Sequence, residues 1–117
     1  MAVILEGYIK VPFEELETIK THLSEHIKNI LNEEGRFMLV EPYAEDDLKD
    51  NLNPSSAMMY GFSTLICVPT SRAQEVALCL GAQAGPKRLT EVLNQSGFEK
   101  VRISDSTTNN LVFEALK

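Results

Sequence analysis

Between residues 3 and 40 an alternating apolar stretch, a helical stretch and an unbroken apolar run follow one another, and that order limits the fold more than any single residue does. Val3, Leu5, Gly7, Ile9 and Val11 alternate with Glu6, Tyr8 and Lys10, the period of a half-buried strand. Pro12 suits a first helical turn, Glu14, Glu15 and Glu17 place negative charge where the helix dipole favours it, and Leu16, Ile19, Leu23, Ile27, Ile30 and Leu31 recur every three or four residues. Gly35 can end that helix in the left-handed conformation, and Phe37-Met38-Leu39-Val40 has the pattern of a strand covered on both faces. Strand, helix and strand make a βαβ unit, and a right-handed crossover makes the first two strands parallel.

The rest of the chain is read by its punctuation. Glu41 to Pro54 is polar and turn-forming, a surface loop with one helical turn. Residues 55 to 68 fit neither period cleanly and are read as helix, ended by Pro69. Ser71 with Gln74 three residues later resembles a capping box that opens a helix through Val76, Ala77 and Leu80 to Gly81. A further helix starts at Pro86, turns Leu89, Val92 and Leu93 inward and stops at Gly97, with Phe98 folding back. Val101 and Ile103 alternate with polar residues, and Leu111 to Leu116 follows the turn-rich Ser106-Thr107-Thr108-Asn109-Asn110, so the last two strands pair antiparallel.

Composition narrows the function. At 117 residues the chain is read as a single α/β domain, residues 1–117, with one core. Eleven Lys and Arg against seventeen Asp and Glu, with no basic cluster longer than Lys87-Arg88, offer no phosphate-binding footprint, so nucleic acid and anionic membrane are poor partners. No apolar run approaches the roughly 20 residues a bilayer requires, and no leader pattern opens the chain, which predicts a cytoplasmic protein. Cys67 and Cys79 lack metal or redox spacing and are read as reduced core residues.

Each chemical candidate has a plainer competitor. His22 and His26 have the spacing of a zinc pair but no third ligand, and they favour surface histidines over a metal site. Glu45, Asp46, Asp47 and Asp50 lack the ligand order of a calcium loop, so no metal is expected. Gly81-Ala82-Gln83-Ala84-Gly85 follows a helix and has no Lys-Ser or Lys-Thr pair, which favours a hinge between two helices over a phosphate loop. Met58-Met59-Tyr60 beside Phe62 fits core packing better than a ligand pocket. Glu41 closes the second strand, where open α/β sheets bind ligands. A small-molecule site, if present, is placed on Glu41, Tyr43, Asn53 and Tyr60.

Two resemblances add to this reading. Gly35-Arg36-Phe37-Met38-Leu39-Val40-Glu41-Pro42, Asp46 to Pro54, Cys67-Val68-Pro69-Thr70-Ser71 with Gln74-Glu75-Val76, the Gly81 to Gly85 segment, Gly97-Phe98 and Asn110 to Ala115 resemble the C-terminal third of a bacterial class I S-adenosylmethionine-dependent methyltransferase. Thr107-Thr108-Asn109-Asn110 departs from the Thr-Pro-Phe-Asn common there. Residues 1 to about 35, through Leu5-Glu6-Gly7-Tyr8-Ile9, Val11-Pro12, Glu15-Leu16, His26-Ile27 and Glu34-Gly35, are similar to antibiotic-biosynthesis-monooxygenase-like domains, which dimerise through a ferredoxin-like sheet.

The first resemblance implies a small mixed four-stranded sheet of order 1-2-4-3 with its last strand pair antiparallel, half of a Rossmann-like methyltransferase sheet. It implies a methyltransferase-related domain without the cofactor-binding half: not catalytic alone, a binding or assembly module, and without cofactor unless a partner supplies the missing half for S-adenosylmethionine. The second leaves open a small dimeric enzyme or ligand-binding protein. Half a sheet leaves its first strand unpaired on one side, so residues Val3 to Val11 are expected at the interface of a homodimer.

Overall fold

The structure is a computed structural model of the chain and describes residues 2–4, 27–73 and 77–117. It is an α/β arrangement with a three-stranded antiparallel sheet at its centre. Strand β2 (Arg36–Pro42) pairs along its whole length with β4 (Asn110–Leu116), and β4 pairs on its other side with β3 (Lys100–Ser106). The short strand β1 (Ala2–Ile4) lies against β2 from Ala2↔Val40 to Ile4↔Met38. That pairing is antiparallel, which corrects the parallel βαβ expectation. The handedness rule acts only on parallel strands of a sheet, so it does not constrain this connection. Of the expected first strand and helix, only residues 2–4 and 27–31 fall within the described residues, and residues 27–30 are helical.

The pleat sorts the sheet into two faces. Phe37, Leu39 and Glu41 oppose Ala115, Phe113 and Leu111, and all six are buried. Met38 and Val40, on the other face, are only partly covered, so the apolar run is not buried on both faces as its composition suggests. That second face carries an ion network: Glu114 accepts from Arg36 Nη1 at 2.7 Å and from Arg102 Nε at 2.6 Å, spanning all three strands. The two guanidinium groups hold the Glu114 carboxyl below its ordinary value.

Among the described residues three α-helices follow β2. Helix α1 (Pro54–Phe62) continues through a π-helical turn (Ser63–Cys67) into α2 (Val68–Arg72). Pro69 therefore does not end the helix; the widened turn before it lies where its missing N–H and its ring would disrupt ordinary helical bonding. Helix α3 (Pro86–Gln95) keeps the expected limits and buries Leu89, Val92 and Leu93 against the sheet. Gly97, at φ +93°, turns the chain so that Phe98 stacks on Phe37 with ring centroids 5.6 Å apart. Ile27 completes this core with no exposed surface.

Among the described residues, the expected helix from Ser71 to Gly81 is not seen. Ser71 lies within α2, residues 77–80 are not helical, and Ala77, Cys79 and Gly81 all have positive φ. Gln74 falls outside the described residues. The Gly81–Gly85 segment consequently follows the non-helical residues 77–80 instead of joining two helices. Nor is Gly35 left-handed; it is required by proximity, since a Cβ there would come within 2.8 Å of the Asn32 carbonyl. No helix among the described residues is long and apolar enough to cross a membrane.

Candidate functional site

Beyond β2 the chain enters residues 43–53, and one buried side chain organises that loop. Asn51 accepts from the Glu45 backbone N–H at 2.9 Å and donates through Nδ2 to the carbonyls of Glu45 (2.9 Å) and Asp47 (3.1 Å). It is 3% exposed, so these bonds replace the water it gives up. Asn51 is also in the single 3₁₀ turn of the loop, Leu48–Asn51. The sequence marks it only as one polar residue in a turn-rich stretch.

The loop is held from the other side by residues 81–87. Asp46 Oδ1 accepts from the Lys87 backbone N–H at 2.8 Å, capping α3 from a distant part of the chain. Gln83 Nε2 donates to the Tyr43 carbonyl at 3.2 Å and to the Ala82 carbonyl at 2.9 Å, while its Oε1 is buried with no hydrogen-bond partner among the described residues. Gly85 allows this approach, because a Cβ there would meet Asp46 at 2.6 Å. The glycine segment thus serves as a docking strip for the loop after β2.

The four expected site residues separate into two pairs. Glu41 is buried opposite Leu111 at the end of β2. Tyr43 lies just beyond it and donates its phenol to Glu45 at 2.5 Å. The hydrogen bond to the adjacent Glu45 carboxylate holds the Tyr43 phenol above its ordinary value. Asn53 instead caps α1: its Oδ1 accepts from the Ser56 N–H at 2.9 Å, and its Nδ2 donates to Ser56 Oγ at 3.1 Å. Asn53 and Tyr60 share an open groove of 390 Å³ with Leu48, Asn51, Leu52, Pro54 and Ala57, and neither Glu41 nor Tyr43 lines it. Among the described residues no group of three His, Cys, Asp or Glu is placed to hold a metal ion; His22 and His26 fall outside them.

The helical stretch 54–72 has its apolar side chains turned outward. Its buried residues are Ser56, Ser63 and Ser71, whereas Met58, Phe62, Leu65 and Ile66 are exposed. The serines are occupied: Ser71 Oγ accepts from the Cys79 N–H at 2.9 Å, and Ser63 Oγ from the Ala82 N–H at 3.1 Å. They supply acceptors to backbone N–H groups of residues 77–82, which lie in no helix or strand. Met58 and Phe62 are therefore not core residues, correcting that expectation, and Cys67 and Cys79 are half-buried.

Comparison with protein-family models and with curated proteins returns no match.

Proposed function

We propose that this chain is a methyltransferase-related assembly module that neither binds S-adenosylmethionine with its own residues nor catalyses methyl transfer alone. The observation that carries the assembly role is the outward apolar face of residues 54–72, since large exposed apolar side chains grouped on one helix mark an interaction surface. The methyltransferase relationship is supported by β4, which lies antiparallel between β2 and β3 as the resemblance implies. On this reading the strands, in the order β1-β2-β4-β3, correspond to part of a Rossmann-like sheet. The antiparallel β1 departs from it, so β1 is an addition and not the counterpart of a methyltransferase strand. A ferredoxin-like sheet would place the first and third strands centrally, which disfavours the monooxygenase-like alternative.

The absence of cofactor binding follows from residue types. A dinucleotide-like or nucleoside cofactor needs a glycine-rich turn that aims main-chain amides after a strand, and Gly7 stands alone in its segment. Isothermal titration of the chain with S-adenosylmethionine is expected to show no heat of binding. Micromolar binding would overturn this reading.

A further inference from the structure

We infer that the outward face of residues 54–72 is the contact surface between two copies of this chain, packed antiparallel about a two-fold axis near Phe62. This rests on the assembly reading and names its partner. In projection Met58, Phe62 and Ile66 fall along one line of the helix, with Gly61 and Leu65 beside it. Leu65 is 78% exposed and Met58 54%.

Charge selects a second copy and its direction. Between Asp50 and Arg72 the sequence carries no charged side chain, so the face can be laid on itself without opposing like charges. Its ends differ in sign. Asp47, Lys49 and Asp50 are exposed before the helix and carry a net negative charge, with Lys49 3.5 Å from Asp47, and Arg72 is exposed at its end; Asp50 stands 12 residues before Phe62 and Arg72 10 after it. Antiparallel packing brings Arg72 of each copy to the acidic end of the other, while parallel packing would set like against like. A two-fold axis uses the same patch twice, as an isologous contact requires.

Space and area agree. A Cβ on Gly61 would have nothing within 4 Å, so a partner helix can approach the backbone there. With fully exposed apolar side chains presenting on the order of 200 Å² each, Met58, Phe62, Leu65 and Ile66 leave roughly 400 Å² uncovered. The exposed Leu48 and Leu52, which line the adjoining groove with Ala57, extend this toward the ~800 Å² per partner of a standard interface. The outer edge of β3 suits pairing less well, because it carries Lys100, Arg102 and Asp105 and a register shift at Ile103/Asp105.

Sedimentation velocity over a range of micromolar concentrations, combined with oxidative labelling read at Met58, tests the inference. The expected result is a dimer with Met58 protected. Gly61→Glu should raise the dissociation constant at least about 100-fold with an unchanged circular-dichroism spectrum. Leu65→Glu should do the same should the first variant fold poorly. Arg72→Asp should weaken the dimer, and adding Asp50→Arg should restore it. A monomer with Met58 freely labelled overturns the inference while the assembly reading stands with another partner. A monomer with Met58 protected overturns both, because the chain then covers its own face. A dimer untouched by both Gly61→Glu and Leu65→Glu places the contact elsewhere, the first strand included, and overturns the inference.

Discussion

Helix α3 and the helical stretch 54–72 are built on opposite plans. In α3 the apolar residues Leu89, Val92 and Leu93 face the sheet, while Lys87, Arg88 and Glu91 face water. Its cap is borrowed, since Asp46 reaches the Lys87 N–H from the loop after β2. Residues 54–72 carry their own cap at Asn53, bury serines and expose large apolar side chains. The first helix is therefore stabilised by burying apolar surface. The second is held to the body by polar contacts, which leaves its apolar surface available to something else. Apolar composition alone does not say which face of a helix looks inward.

The comparison can be broken first at its most unequal point. Leu93→Ala should cost about 2–5 kcal/mol in urea unfolding, because it opens a cavity at a fully enclosed site. Leu65→Ala, measured as a dilute monomer, should change stability by less than about 0.5 kcal/mol. Equal losses would refute the division between an inward and an outward apolar face. Next in size, Ser63→Ala should cost about 1–3 kcal/mol by removing the acceptor of the Ala82 N–H.

The two caps come next. Asn53→Ala and Asp46→Ala should each cost about 1 kcal/mol. Hydrogen exchange should show the first loss confined to the start of α1, and the second shared between α3 and the loop after β2. Gly61→Ala, also measured as a dilute monomer, should act in the opposite direction, a gain of up to about 1 kcal/mol from helix propensity, because no neighbour in the chain crowds a Cβ there.

A control lies outside both helices, at Glu114. Arg36 and Arg102 depress its carboxyl in the folded state, so its stabilisation is present above the unfolded carboxylate value and is lost as pH falls through the lower folded one. Glu114→Gln should flatten that part of the acid limb of the stability curve and leave the contrast between the helices unchanged.

Much of the α/β pattern was legible because it depends on local chemistry. Pro86 and Gly97 frame α3, where ring geometry and a positive φ favour those residues, and the turn-rich 106–110 segment marks the β3–β4 hairpin. Residues 55–68 were read as helix, ended by Pro69, yet Met58 and Phe62 were assigned to the core, since apolar composition cannot report what lies opposite a side chain. Ser71 was read as opening a helix when it lies within one and accepts from Cys79. A hydroxyl that can cap can equally serve a segment that returns later in the chain. At the candidate site, Asn53 and Tyr60 were placed with Glu41 and Tyr43, but the Asn51-centred loop separates the two pairs. That separation depends on Asp46, Gln83 and Gly85, whose contacts cross some forty residues of chain and leave no local pattern.

Alone, the sequence determined the α3 helix, the final hairpin and the uncharged span between Asp50 and Arg72, because propensity, turn geometry and charge belong to residues and their near neighbours. Tertiary structure decided the direction of β1, the outward orientation of Met58, Phe62, Leu65 and Ile66, and the docking of residues 79–85 onto Ser63, Ser71 and the loop after β2. These depend on which distant backbone groups need partners, and that requirement exists only once the chain has closed on itself.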